Sequence, residues 1–187
     1  DDAGTAVDDA DPAGTVNFSA VEEFIGGTGN DTFVVGTFTI ADIDGGAGTV
    51  NTLDITGAGT GRAVTLTAAR TGTAAVVTAF DNITDITSTG GGNMLTGADL
   101  DSVWTIDGVT GSVTAAGQSL AFAGFTSLAG GIANDSFTVT DDSAVDITTD
   151  TAIGGTGVDS VTISAGQTLT VTTAIVFGEG VDTLTLA

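Results

Sequence analysis

The nine residues GGTGNDTFV at 26–34 constrain this chain more than any other stretch, because they return. GGIANDSFT (130–138), GGTGVDSVT (154–162) and FGEGVDTLT (177–185) share their layout. TGADLDSVW (96–104) is a weaker relative, and GGAGTVNTLDI (45–55) reads as a copy with an insertion. Successive starts lie 19, 51, 34, 24 and 23 residues apart. Each copy places a glycine-rich turn and an Asp ahead of an alternating apolar run, which reads as a corner leading into a β-strand. A recurring corner, periodic but with ragged insertions, is the mark of a repeat architecture.

The flanks repeat as well. FSAVEEFIGG (18–27) parallels FAGFTSLAGG (122–131), and FDNITDITSTGG (80–91) echoes both. Between corners, runs such as TFTIADI (37–43), NTLDIT (51–56), AVTLTA (63–68), SVWTID (102–107), SFTVTD (136–141) and DTLTLA (182–187) alternate apolar residues with Thr or Asp. β-Branched side chains suit a pleated surface, and the alternation puts the apolar set on one face. No stretch sustains an apolar spacing of three and four. The expected fold is therefore all-β: a parallel β-helix, or β-solenoid, with coils of roughly 20–30 residues whose apolar faces are buried by stacking. The alternative is one or two β-sandwich domains in which the same turns close hairpins. Two-residue hairpins favour Asn-Gly or Asp-Gly, and such pairs are scarce, Asp107-Gly108 beside Asp44-Gly45 of the Gly-Gly corner, which favours the solenoid. Residues 1–187 are expected to form a single elongated repeat unit, excised from or repeated within a longer protein.

The charge balance narrows the partners. Asp and Glu number 24 against two Arg, with no Lys or His, for a formal charge of −22. Such a surface repels nucleic acid and anionic membranes and attracts cations. Only Glu22, Glu23 and Glu179 are glutamates, so the charge sits on Asp, which suits turns and hard-cation ligands. Without Cys there is neither a disulfide framework nor a thiolate metal site. Without His, Cys or Lys, a serine or cysteine nucleophile lacks its usual base, so no enzyme is expected. The acid pairs Asp99/Asp101, Asp141/Asp142 and Asp42/Asp44 are formal candidates for carboxylate chemistry, but they lie in turn-rich sequence. Trp104 alternates with Ile106 in a strand and is expected in the core. Arg62 and Arg70 flank AVTLTAA and are candidates to meet acidic surface.

GGTGNDTFV and GGTGVDSVT resemble, at every constrained position, the nonapeptide of hemolysin-type calcium-binding (RTX) repeats, Gly-Gly-x-Gly-x-Asp-x-apolar-x. In the other copies Ala133 replaces the third glycine and Phe177 the first, and TGADLDSVW keeps Gly97, Asp101 and Val103. The resemblance implies calcium held by the carboxylates of Asp31, Asp159, Asp182, Asp135 and Asp101. Carbonyls of Gly26, Gly27, Gly154 and Gly155 would join them. The copies here are dispersed, whereas the family's run in tandem, so an ion would need neighbouring coils to stack their loops, with Asp159 above Asp182 the favoured pair. The competing reading is that the Asp only caps its own turn.

Across nearly the whole chain the vocabulary resembles repetitive segments of large secreted bacterial surface proteins. These are β-helical adhesins of the filamentous-haemagglutinin kind, RTX-type adhesins and surface-layer proteins. That resemblance implies an extracellular or cell-surface structural role as a self-assembling fibre, adhesin stalk or matrix filament. Its alternatives are a calcium-dependent adhesin module that binds a partner, and a surface-layer lattice subunit. The expected partner is the chain itself, head to tail or in a lattice, with neither nucleic acid nor membrane insertion. Joined end to start, VDTLTLADDAGT makes a continuous repeat, in keeping with head-to-tail association.

Overall fold

The computed structural model describes residues 23–148 and 157–187. They form an all-β chain in mixed sheets, and a 3-10 turn at Thr56–Ala58 is the sole helical element among the described residues. Sheet A has the spatial order β1 (Glu23–Ile25), β3 (Ile40–Asp44), β7 (Val77–Asp81), β6 (Thr71–Ala74), β5 (Ala63–Ala68), β9 (Met94–Thr96), β13 (Ser127–Ala129), β16 (Asp146–Thr148), β19 (Ile175–Val176). Sheet B has the order β2 (Thr32–Val34), β4 (Thr52–Asp54), β8 (Asp85–Thr87), β12 (Gln118–Ala123), β11 (Thr110–Ala115), β10 (Ser102–Asp107), β14 (Asp135–Val139), β17 (Ser160–Ile163), β20 (Thr183–Leu186). Two short strands, β15 (Ser143–Ala144) and β18 (Leu169–Thr170), pair as a third, two-stranded sheet.

Towards both ends the chain alternates between sheets, and each strand pairs in parallel with its counterpart one circuit away. Thr32 faces Thr52 and Phe33 faces Leu53; at the other end Ser160 faces Thr183 and Val161 faces Leu184. The middle departs from the uniformly parallel stack expected from sequence. From β4 the chain enters sheet A three strands beyond β3, and the antiparallel β6 and β7 then fill the gap back to β3. The same manoeuvre follows in sheet B, where β10 and β11 lead back to β12 beside β8.

These meanders form because their loops favour reversal. Gly108 (φ 64°) opens the two-residue loop between Asp107 and Thr110. Ala116 and Gly117 (φ 49° and 75°) form the next, with both central residues left-handed as tight hairpins require. The two meanders match residue by residue. Leu66, Gly72 and Phe80 align across sheet A as Ile106, Gly111 and Phe122 do across sheet B. In both, the phenylalanine ring lies over the glycine, and a Cβ at Gly72 would sit 2.9 Å from Phe80 Cζ. The glycine's missing side chain is replaced by its neighbour's ring.

One apolar cluster joins the sheets. It takes Ile43, Phe80, Leu95 and Leu128 from sheet A, and Leu53, Ile86, Phe137 and Val161 from sheet B. Trp104 is fully buried, stacked on Phe137 at 5.1 Å between ring centroids and tilted against Phe122 at 5.9 Å, in the core as its alternation implied. Burying a side chain of this class stabilises by about 1.5–3 kcal/mol, so the cluster, more than any single hydrogen bond, holds the sheets together.

Candidate functional site

The corners that carry the repeated motif lie between sheet A and sheet B, and the register stacks them. Asp135, Asp159 and Asp182 occupy equivalent positions at or just before the starts of β14, β17 and β20. The dispersed copies thus become spatial neighbours.

Their carboxylates are aimed at backbone amides. Asp31 Oδ2 accepts the Gly27 N–H at 3.0 Å, and Asp135 Oδ2 accepts the Gly131 N–H at 2.8 Å, each closing its own turn. The remaining bonds run between circuits. Asp159 Oδ1 accepts the Asp135 N–H (2.8 Å), and Asp182 Oδ1 accepts the Asp159 N–H (3.0 Å). At the other end Asn51 Oδ1 accepts the Asp31 N–H (3.3 Å), and Thr84 Oγ1 accepts the Asn51 N–H (2.8 Å). Asp159, Asp182, Asn51 and Thr84 thus each satisfy an amide of the circuit before their own. In sheet A, Asn93 Oδ1 accepts the Arg62 N–H at 2.7 Å by the same rule.

A second ladder runs the opposite way one residue earlier. Asn30 Oδ1 accepts the Val50 N–H (3.1 Å), Asp101 Oδ1 the Asn134 N–H (3.1 Å) and Asn134 Oδ1 the Val158 N–H (2.7 Å). The pairing of Ser102 with Asp135 puts Asp101 in this second ladder, one place from the position its motif alignment implied. Ser102 takes the corner position instead: its hydroxyl donates to Asp135 Oδ1 and accepts from Trp104 Nε1 at 2.6 Å. A polar thread therefore leads from the core tryptophan to the corner.

Asp135 and Asp159 are each only 1% exposed. Asp159 Oδ2 is buried without a hydrogen-bond partner among the described residues. Gly154 and Gly155, implied as carbonyl ligands, lie outside the described residues. Gly26 and Gly27 differ from one another: a Cβ on Gly26 would lie 2.5 Å from the Gly45 carbonyl and 2.6 Å from Asp31 Oδ2, whereas Gly27 faces open space. Among the described residues, no three of His, Cys, Asp and Glu converge as a metal-binding group would.

Other acids serve turns. Asp44 Oδ1 accepts from Gly46 N and Asn82 Nδ2 (both 2.8 Å), Asp142 Oδ1 from Thr168 N (2.8 Å) and Asp141 Oδ1 from Asp142 N (2.8 Å). Asp146 Oδ1 accepts the N–H groups of Thr172 (2.7 Å) and Thr173 (3.0 Å). The Thr173 amide, outweighing partial desolvation and helped by that of Thr172, holds its carboxyl below the ordinary range. Arg70 meets a carbonyl: its Nε donates to Ser119 O at 2.9 Å, tying one meander to the other. A shallow groove lined by Thr65, Leu66, Thr67, Thr96, Gly97, Asp99 and Leu100 carries one carboxylate. Among the described residues no helix is long and apolar enough to cross a membrane.

Sequence reasoning named the motif aspartates but missed Asn51, Thr84, Asn93 and Asn134, which do the same work with amide or hydroxyl oxygens. Asn51, at the Asp position of the inserted copy, was the available signal. Comparison with protein-family models, with curated proteins and with solved structures found no match to this chain.

Proposed function

We propose that this chain is a β-solenoid unit of a secreted bacterial surface fibre, a structural element that associates with itself. The alternation of strands between two sheets, the parallel pairing towards both ends and the side-chain ladders along the corners support a solenoid over a sandwich. The observation that carries the functional reading is the state of β20. Leu184 and Leu186 are 48% and 73% exposed, whereas Val161, which faces Leu184 from β17, is fully buried. An apolar pair at core register on an outermost strand, beside unpaired backbone groups, is a template for another strand. Light scattering over a concentration series, with negative-stain electron microscopy, tests it. The expected result is concentration-dependent growth into filaments, while sheets would favour a surface-layer lattice; a strict monomer at the highest concentration overturns the proposal.

Calcium at the Gly-Gly-x-Gly-x-Asp corners is a second reading, favoured by the buried Asp159 Oδ2, which has no hydrogen-bond partner among the described residues. It would neutralise part of the corner charge and stiffen the stack. Isothermal titration with calcium against the Asp159→Asn chain distinguishes it: heat that disappears in the variant supports an ion there, and no heat in the parent removes the reading.

A further inference from the structure

The corner bonds recur as a two-bond clasp between circuits. Asp159 donates its N–H to Asp182 Oδ1 (3.0 Å), and its carbonyl accepts the Thr183 N–H (3.0 Å). Asp31 donates to Asn51 Oδ1 (3.3 Å), and its carbonyl accepts the Thr52 N–H (2.8 Å). Asn51 in turn donates to Thr84 Oγ1 (2.8 Å), while its carbonyl accepts the N–H groups of Thr84 (2.9 Å) and Asp85 (3.1 Å). Each time the earlier circuit supplies one N–H and one carbonyl from a single residue. The later circuit supplies a corner oxygen and an amide. The clasp therefore has two unlike halves.

Among the described residues β2 and β20 are the outermost strands of sheet B, and each holds the half that the other lacks. Asp182 stands on β20 where Asp159 stands on β17, yet its N–H and carbonyl have no hydrogen-bond partner among the described residues. At the opposite edge Asp31 spends Oδ2 on its own turn and leaves Oδ1 without a partner among the described residues. Thr52 bonds to Asp31, so in a parallel ladder the Thr32 amide faces away from β4. One edge thus ends in a donor and a carbonyl, the other in a carboxylate oxygen and an amide.

We propose that the two edges join between copies: β2 of a second chain seats on β20, head to tail and in parallel. Asp31 Oδ1 then accepts the Asp182 N–H, and the Thr32 amide donates to the Asp182 carbonyl. This rests on the self-association proposed above and names the surface that it uses. The same register sets half-buried Phe33 beside Leu184, which is 48% exposed. It thereby joins the row Trp104, Phe137, Val161, Leu184 to the row Phe33, Leu53, Ile86. The corners are congruent as well, because nine residues separate Phe24 from Phe33 and nine separate Ile175 from Leu184. Pairing β20 with β20 about a two-fold axis fits less well. It sets the strands antiparallel and brings two like halves together, so both clasps stay open. Unlike halves make a heterologous contact, which propagates into a filament.

The chain has no Cys, so single thiols report which edges meet. Thr183→Cys and Thr32→Cys, made in separate full chains, place thiols at exposed positions that the joint sets on neighbouring strands about 4.7–4.9 Å apart. The two chains, one of them isotopically heavy, are mixed at raised ionic strength and treated with a short bifunctional thiol reagent. Mass then separates mixed from like adducts, and Val109→Cys, at an exposed hairpin tip, is the control for random collision. Melting curves verify that each variant folds, and light scattering follows growth in the same samples. The expected result is growth with mixed adducts in large excess over like ones and over the control. Growth with like adducts dominant, or with none above the control, overturns this joint and leaves self-association standing. Absence of both growth and mixed adducts overturns the joint together with the fibre reading.

Discussion

The backbone N–H of Asp135 donates to Oδ1 of Asp159, 24 residues later in sequence and one strand along in sheet B, at 2.8 Å. Both residues are buried, and the bond satisfies the amide of the first residue of β14. A motif that looks like a loop of its own is thus half of a contact between two circuits.

Replacing Asp159 with Ala leaves the Asp135 N–H buried without its acceptor, at a cost of about 1–3 kcal/mol in unfolding free energy. Asp159→Asn keeps an oxygen at Oδ1, as Asn51 does for Asp31, and is expected to avoid most of the loss. Urea unfolding of the two variants measures this; equal destabilisation by both would mean that charge, not the acceptor, matters at this corner.

The glycines separate into those that are needed and those that are tolerated. Gly111→Ala drives a methyl into Phe122 Cζ and the Thr105 carbonyl, and Gly72→Ala repeats the clash with Phe80. Each is expected to lower stability by about 1–3 kcal/mol through overpacking. Gly27→Ala meets nothing within 4 Å and is expected to shift stability by no more than about 0.5 kcal/mol. Thermal melts rank the three, and a costly Gly27→Ala would point to a role beyond turning the chain.

Acid stability carries a term from Asp146. Its folded carboxyl titrates below its unfolded value of 3.8, because the Thr173 and Thr172 amides favour the charged form. The stabilisation is present above the unfolded value and is lost as pH falls through the lower folded one. Asp146→Asn is expected to be less stable than the parent near neutrality, with the gap narrowing below about pH 4. Denaturant midpoints collected from pH 2 to 7 trace that convergence; a gap independent of pH would rule out the titration.

The interleaved centre is expected to open as one unit. In a simple stack each circuit contacts only its neighbours and can peel away alone. Here β3 pairs with β7 and β5 with β9, so the first meander cannot leave without releasing partners on both sides. Native-state hydrogen exchange is expected to show amides of β19 and β20 exchanging first. Those of β5 to β12 are expected to share one higher opening free energy, and graded exchange through the meanders would contradict this.

The proposed association through β20 must overcome repulsion between chains that each carry −22. Oligomer size by light scattering is therefore expected to rise with ionic strength as screening shortens the reach of that repulsion. Leu186→Lys, on the exposed strand edge, is expected to suppress growth with little change in melting temperature. Growth unaffected by this variant would place the contact elsewhere.

Much of this was legible from residues alone. Alternation in runs such as DSFTV and DTLTL predicts both strand and inward face, because side chains on a strand have a period of two. Phe137 and Val161 are fully buried on that basis, and Leu184 shares their register on the outermost strand. Glycine–Asp punctuation predicts the corners, since few other residues turn a chain so tightly. What was hidden is which strand lies beside which. Ala116-Gly117 looks unlike a favoured hairpin pair, yet it turns β11 into β12. The skip from β4 to β5 leaves no local trace at all.

The sequence by itself determined the all-β class, the inward residues and the places where the chain turns, because these follow from propensities and spacing within a few residues. Only the tertiary structure decided the mixed order of the sheets, the placement of Asp101 in the second ladder and the service of Asn51 and Thr84 in the first. Those outcomes depend on register between segments 20 to 33 residues apart, where a hydrogen bond is made by whichever oxygen the neighbouring circuit presents.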